Sequence, residues 1–170
     1  NPESAVVEKL RAFRPLGVNR LSLGVQSFRR GILETLGRAH SPEEAVRAVT
    51  AAREAGFGNL SIDLMLALPG QDLRGLEEDL RMVGHLGPDH LSAYLLEMDK
   101  KTALRSRIEK GELVPPTEDQ AAEMYDVTAE ALESAGLRHY EISSFAAGMD
   151  KASRHNQKYW DHTPYLGLGP

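Results

Sequence analysis

Short alternating runs of apolar and polar residues follow amphipathic stretches along this chain, and the pattern returns four times. The runs lie in "PLGVNRLSLGVQS", "EAGFGNLSIDLML", "HLGPDHLSAYLLE" and "SAGLRHYEISSFA", where the glycines align at Gly17, Gly56, Gly87 and Gly136. Glycine just past a helix end adopts the left-handed conformation without a Cβ penalty. The pattern therefore predicts four strands, each preceded by a helix that ends at glycine.

The helices between these strands carry their own start signals. A capping box at residues 41–44, with Pro42 at the first helical position, predicts a helix to about Glu54. A second box at residues 117–120 predicts a long helix to about Ser134, and Asp72 is a plausible N-cap. Other helices are predicted over about Glu3–Phe13, Phe28–Leu36 and Leu73–Val83. The insertion at about Asp99–Pro116 is predicted to be loop.

Alternating strands and helices predict an α/β fold with a parallel sheet and right-handed crossovers. Period two places aliphatic residues on one face of the sheet: Leu21, Leu23, Val25, Leu60, Ile62, Leu64, Leu91, Ala93 and Leu95. The opposite face is polar, with Ser22, Gly24 and Gln26 on the first strand and Ser61 and Asp63 on the second. This face suits a partial barrel that holds a polar ligand near the carboxyl ends of its strands. Four strands cannot close a barrel, so either more chain precedes residue 1 or a partner completes the domain.

The amino-acid composition argues against several classes of function. The formal net charge of −5 argues against a general nucleic-acid binder. The chain contains no cysteine, which excludes disulfides, thiolate metal ligands and cysteine nucleophiles from these 170 residues. No apolar run approaches the length of a membrane span.

Four blocks of sequence carry a resemblance to a known family: "GVNRLSLGVQSF", "LGRAHSPEEA", "AGFGNLSIDLMLALPGQ" and "YLGLGP". They closely resemble the group of radical S-adenosylmethionine (SAM) proteins formed by oxygen-independent coproporphyrinogen III oxidase and its relatives. The resemblance implies a partial radical SAM (β/α)6-type barrel. Residues 1–145 would be its carboxyl-terminal half, and residues 146–170 would lead into a further domain. It also implies SAM and a [4Fe–4S] cluster as cofactors, with the CxxxCxxC cluster loop before Asn1.

The resemblance transfers three SAM-contacting positions to this chain: Gln26, Arg38 and Asp63. Their chemistry suits those roles. A carboxylate can accept from ribose hydroxyls or the SAM amine, a guanidinium can clamp the SAM carboxylate, and an amide offers both donor and acceptor. The alternative for each is a polar residue that fills the barrel or forms a surface ion pair.

A second site is indicated by "SRHNQKYW", in which His155 and Tyr159 match the HNxxY motif of the family's haem-binding branch. Histidine and tyrosine are both axial ligands of haem iron, and positions i and i+4 share a helix face. His155 is the candidate iron ligand, and His162 is an alternative. Trp160 could pack on the macrocycle, and Arg154 or Lys158 could pair with the propionates. A polar helix lying on the surface would carry the same residues.

Other motifs favour structural explanations. "LPGQD" is typical of a turn that leads into a helix. "LGLGP" lacks the full dinucleotide-binding pattern and no helix follows it. The remaining histidines, at loops or strand entries, are expected to be structural or solvated; they are His40, His85, His90 and His139.

Three functions compete at this point. The HNxxY motif favours a cytoplasmic haem chaperone that passes haem to an unidentified acceptor protein and could form a homodimer. The second is oxidative decarboxylation of coproporphyrinogen III, and the third is an inert half of a barrel. Whichever holds, this chain by itself is predicted to be catalytically inactive, because reductive SAM cleavage needs an iron–sulfur cluster.

Overall fold

The computed structural model describes residues 1–97 and 102–166 of the chain. Within those residues the helices are α1 (Val7–Phe13), α2 (Arg30–Thr35), α3 (Pro42–Glu54), α4 (Leu73–Leu86), α5 (Ala103–Glu109), α6 (Glu118–Ser134) and α7 (Arg154–Trp160). The strands are β1 (Leu21–Gln26), β2 (Leu60–Leu66), β3 (His90–Leu95), β4 (Arg138–Glu141) and β5 (Ser144–Ala146). Short 3-10 turns cover Pro2–Ser4 and Arg14–Leu16.

The strands form one mixed sheet in the order β1-β2-β3-β5-β4. The pairs β1–β2 and β2–β3 are parallel. Leu21 lies opposite Leu60, as the aligned repeats predict, whereas Leu91 lies opposite Ile62, two residues further along β2 than the alignment places it. The prediction was wrong for the last strand. β4 does not follow β3 in the sheet, because the chain turns back after Glu141 and inserts β5 antiparallel between them.

The helix ends follow the predicted chemistry. Ser41 and Thr117 both form complete capping boxes, and the Asp72 side chain accepts from the backbone N–H of Gly75 at the start of α4. The four aligned glycines all have positive φ, between 55° and 89°. Local sequence therefore determines where these helices start and stop.

Two helix predictions need correction. The leading helix predicted over Glu3–Phe13 is interrupted, and only Val7–Phe13 is α-helical. The insertion predicted to be loop contains α5, which the Thr102 side chain caps by accepting from the N–H of Arg105. Residues 99–101 of that insertion, and residues 167–170 of "YLGLGP", lie outside the described residues.

The hydrophobic core lies between one face of the sheet and the helices. Leu23, Val25, Leu60, Ile62 and Leu64 are all at most 2% exposed, and α3 and α6 pack against this face. Leu95 departs from the predicted pattern, since at the end of β3 it is 42% exposed. On the opposite, polar face Ser22 is exposed, whereas Ser61 and Ser92 are buried.

None of the helices in the described part of the chain combines the length and apolarity needed to cross a membrane. The predicted division of the chain at residue 145 stays a prediction.

Candidate functional site

A cavity of about 570 Å³ opens at the carboxyl ends of β1, β2 and β3. Gln26 and Asp63 both line it, so the structure brings two of the three predicted SAM residues together. The start of α5 forms one wall, and the rest of the lining is Glu97 together with mainly apolar side chains: Leu36, Met65, Tyr94, Leu95 and Leu96. Its volume is typical of small-molecule sites, and apolar walls with a few polar groups are the usual composition of such sites.

Asp63 is a carboxylate held largely away from water in the middle of β2. Burial raises its pKa above the usual aspartate range. The hydroxyl of Ser22 donates to Asp63 Oδ1 at 2.9 Å, and Ser92 and the Arg20 guanidinium also favour the charged form. A partly buried carboxylate with neutral donors and a distant cation is suited to bind hydroxyl or ammonium groups of a ligand.

Gln26 ends β1 in an unusual backbone conformation. Its φ is +70°, and the N–H of Ser27 donates to the carbonyl of Val25 at 2.9 Å across it. A positive φ at the centre of such a three-residue turn is the rare, strained form of the γ-turn. The pairing of β1 with β2 also shifts between Gly24 and Gln26, an irregularity that redirects side chains near functional sites. The Gln26 side chain is only 7% exposed and points into the cavity.

Arg38, the third predicted SAM residue, lies in the connection between α2 and α3. It follows Leu36, which lines the cavity, but Arg38 itself is partly exposed and does not line the cavity. Its contact with SAM stays a prediction.

The HNxxY segment forms α7, which begins where the Ser153 side chain accepts from the N–H of Asn156. His155 and Tyr159 lie on one exposed face of this helix, as the spacing predicts. Their rings meet edge to face with centroids 5.3 Å apart, and the Tyr159 hydroxyl is 3.3 Å from His155 Nε2. Tyr165 packs edge to face against Tyr159 with centroids 4.8 Å apart.

A shallow, open hollow lies beside this face, with a volume of about 490 Å³. Lys158, Tyr159, His162 and Tyr165 line it, and the nearby Trp160 is 54% exposed. Both candidate imidazoles therefore lie around one aromatic surface. Tyr165 was not among the residues singled out from the sequence; its aromatic ring shortly after the HNxxY motif was the available signal.

Hydrogen bonds attach the start of α7 to the polar face of the sheet. The N–H of Ser153 donates to the hydroxyl of Tyr140 at 2.9 Å, and that hydroxyl is 2.8 Å from His90 Nε2. His90 Nδ1 is in turn 2.8 Å from the hydroxyl of Ser61, one alternation before Asp63 on β2. Burial lowers the His90 pKa to about 4, so His90 is neutral at physiological pH.

The segment before α7 runs along the amino ends of the parallel strands. Arg20, before β1, donates to the carbonyl of Lys151, and Lys151 Nζ donates to the carbonyl of Gly58, before β2. The N–H of Ala147 donates to the carbonyl of Asp89, before β3. The haem-motif helix therefore starts at the end of the sheet opposite to the cavity with Gln26 and Asp63.

Of the other histidines, three have structural contacts. His40 is buried and its Nε2 donates to the carbonyl of Val25 at 3.1 Å, while His139 stacks on Phe145. His90 is buried in the network described above, and His85 is exposed on α4.

Comparison with known proteins places this site in context. Residues 1–83 match the family model of the radical SAM superfamily. The haem chaperone HemW of Bacillus subtilis is 42% identical over 170 residues, which cover 99% of this chain and 44% of the relative. The mitochondrial radical S-adenosyl methionine domain-containing protein 1 of Mus musculus is also 42% identical over 170 residues, covering 100% of this chain and 38% of the relative.

A solved structure agrees with the fold. Coproporphyrinogen III oxidase (HemN) from Escherichia coli, a radical SAM enzyme, superposes with a TM-score of 0.76 at 29% identity. The match covers 85% of this chain and 33% of that one. The predicted α/β fold of radical SAM type is thereby confirmed. The chain spans less than half the length of each of these three proteins.

Proposed function

Because this chain belongs to the radical SAM superfamily, we propose that it is part of a haem chaperone, which binds haem and passes it to acceptor proteins. The observation that carries the proposal is the exposed pair of His155 and Tyr159 on one face of α7, within a chain that is 42% identical to a haem chaperone. Chaperones release their cargo, and an exposed surface suits a ligand that must be handed on.

In this proposal His155 supplies the imidazole to haem iron. Its Nε2 contacts only the Tyr159 hydroxyl among the hydrogen bonds described, and this exposed bond is weak because water competes for it. The aromatic rings of Trp160 and Tyr165 offer apolar faces to a porphyrin, and Lys158 offers a cation to a propionate.

We propose the cavity at the carboxyl ends of the strands as the SAM site, with Gln26, Asp63 and Arg38 as the residues that contact SAM. The fit is supported by the volume, by the partly desolvated carboxylate and by the apolar wall that could pack on adenine. When bound beside a [4Fe–4S] cluster, SAM supplies radical chemistry. The cluster ligands must come from elsewhere, since this chain has no cysteine.

The proposed setting is the cytoplasm, with an unidentified haem-acceptor protein as partner and a homodimer as the assembly. The name of the mouse relative includes the word mitochondrial, so a related chain works in another compartment. Cell fractionation and light scattering of the complete protein test the location and the assembly.

Titration of haem into the complete protein tests the main proposal. We expect a Soret shift that saturates at about one haem per chain. His155→Ala should weaken haem binding by at least about tenfold, because the iron–imidazole bond is lost. The matched control is His85→Ala, which removes an exposed imidazole from α4 and should leave the spectrum unchanged.

Two results would count against this assignment. The absence of a saturable Soret shift would contradict haem binding altogether. Full binding by His155→Ala together with loss in His162→Ala would keep the function and move the iron ligand to His162.

The second candidate is coproporphyrinogen III oxidation, which the structural similarity to the E. coli oxidase favours. In that case the complete, cluster-loaded protein would consume coproporphyrinogen III anaerobically and release methionine and 5′-deoxyadenosine. Product formation independent of His155 would favour this enzyme over the chaperone.

A further inference from the structure

The orientation of the Gln26 side chain depends on contacts that the proposed SAM site does not include. Its strained turn, with φ at +70°, would relax toward ordinary extended backbone if nothing else held it. The next two residues are held from outside the sheet. The Ser27 hydroxyl donates to Asp79 Oδ2 at 2.7 Å, and the N–H of Phe28 donates to Asp79 Oδ1 at 2.9 Å.

Asp79 is a buried carboxylate on α4, 1% exposed, that contacts neither the cavity nor the haem segment. Burying an ionisable group is unfavourable unless its partners compensate. Both of its oxygens bind the segment immediately after Gln26. A second contact holds the other side of the turn, since His40 Nε2 donates to the carbonyl of Val25 at 3.1 Å.

Gly24 provides the space that the Gln26 side chain occupies. A Cβ at Gly24 would lie 2.8 Å from Gln26 Nε2, closer than real contacts allow, and no other heavy atom outside its chain neighbours lies within 4 Å of it. Gly24 does not have a positive φ, so alanine suits its backbone. An added methyl group would therefore displace the Gln26 amide and little else.

We propose that Asp79 and Gly24 are positioning residues that direct the Gln26 side chain into the SAM cavity, Asp79 by fixing the turn and Gly24 by leaving room. The inference deepens the proposed function, since it rests on the SAM site described there. Both residues act through Gln26, and that is the property to test.

A double-mutant cycle separates positioning from general stability. SAM affinity is measured by titration calorimetry on the complete protein loaded with its cluster. Gly24→Ala and Asp79→Asn are each made in the wild type and in Gln26→Ala. We expect each to weaken SAM binding by about threefold to tenfold in the wild type, as for loss of a well-placed hydrogen bond. In the Gln26→Ala background we expect changes below about twofold.

Gly84→Ala is the matched control. It adds the same methyl group to the helix that carries Asp79, at a position with no heavy atom within 4 Å, and should leave SAM affinity unchanged. Denaturant unfolding of each variant provides the second readout. Any change in stability caused by Asp79→Asn should be equal in both backgrounds, because the burial of Asp79 does not depend on Gln26. If Asp79→Asn fails to fold, Gly24→Ala alone decides the outcome.

Equal losses of SAM affinity in both backgrounds would overturn the proposal, because the residues would then act through the fold. Unchanged affinity in Gly24→Ala, or in Gln26→Ala itself, would overturn it as well. Haem titration of the same variants distinguishes a failure of this inference from a failure of the proposed function. A normal Soret shift, together with a mutant cycle that shows no coupling to Gln26, rejects only the positioning role.

Discussion

Asp63 is the residue at which stability and the proposed binding of SAM make opposite demands. Its burial raises its pKa, so the folded chain holds a proton more readily than the unfolded chain between the ordinary aspartate value and the raised one. The unfolded state releases that proton first as pH rises. The contribution of Asp63 to stability is therefore greatest at low pH and is lost as pH rises through the folded pKa.

We predict that Asp63→Asn flattens this part of the pH profile and raises stability at neutral pH, since an amide keeps a hydrogen-bond acceptor for the Ser22 hydroxyl without a buried charge. The same change should weaken SAM binding roughly tenfold to a hundredfold, the range for loss of a hydrogen bond to a charged group. Denaturant unfolding from pH 4 to 7 and SAM calorimetry measure the two effects. A stabilised variant with unchanged SAM affinity would contradict the ligand role.

The sequence predicted residues that line the cavity but not the contacts that hold them in position. Gln26 and Asp63 could be placed on one face because strand periodicity is local. Asp79 could not be connected to Gln26, because their link runs through Ser27 and Phe28 to a helix more than fifty residues further along. In the sequence, the buried Asp79 within "LEEDL" also cannot be distinguished from a solvent-exposed charged residue on a helix.

Among the elements, α7 depends most on its attachments. A helix of this length is marginal on its own, and none of its seven residues is buried. Its first turn is fixed by the Ser153 cap and by the bond from the Ser153 N–H to Tyr140. The orientation of the haem motif therefore depends on a residue of β4.

Tyr140→Phe tests this dependence. The change leaves the Ser153 N–H and His90 Nε2 without their shared partner, and we expect a loss of about 1–3 kcal/mol in the free energy of unfolding. Amide exchange at the start of α7 should also quicken. Tyr159→Phe is the matched control, since its hydroxyl is exposed and should change stability by less than about 0.5 kcal/mol. Equal protection of α7 in both variants would contradict the attachment.

Helices with clear capping residues were predictable from the sequence, whereas a strand defined by pairing between distant residues was not. Capping residues identified α3, α4 and α6, whereas β5 is a three-residue strand whose antiparallel place beside β3 no local pattern indicates. α5 was not predicted. The nearby prolines indicated a loop for the whole insertion, although Thr102 provides a helix cap.

At the scale of the whole molecule, the described residues form an open sheet. β1 pairs only with β2 there, so its other edge presents unpaired backbone groups of the kind that proteins normally cover. The chain also contains no cysteine, so the proposed [4Fe–4S] cluster could take no thiolate ligand from it.

We therefore predict that the 170-residue chain, prepared alone, does not retain an iron–sulfur cluster after reconstitution and releases no 5′-deoxyadenosine from SAM under reduction. Iron and sulfide analysis and chromatography of the products measure both. The complete protein, treated in parallel, shows whether the reconstitution works. Any SAM cleavage by the short chain would contradict the prediction.

The opposite placement of the cavity and of α7 on the parallel strands has a consequence for how such proteins diverge. The residues around Gln26 lie at one end of the sheet, whereas Lys151 and Ser153 anchor the haem motif at the other. Changes confined to the segment around α7 could therefore add or remove the proposed haem motif and leave the proposed SAM cavity intact. Protein engineers could exploit the same separation by transplanting residues 138–166, which include Tyr140, onto a relative that lacks the motif.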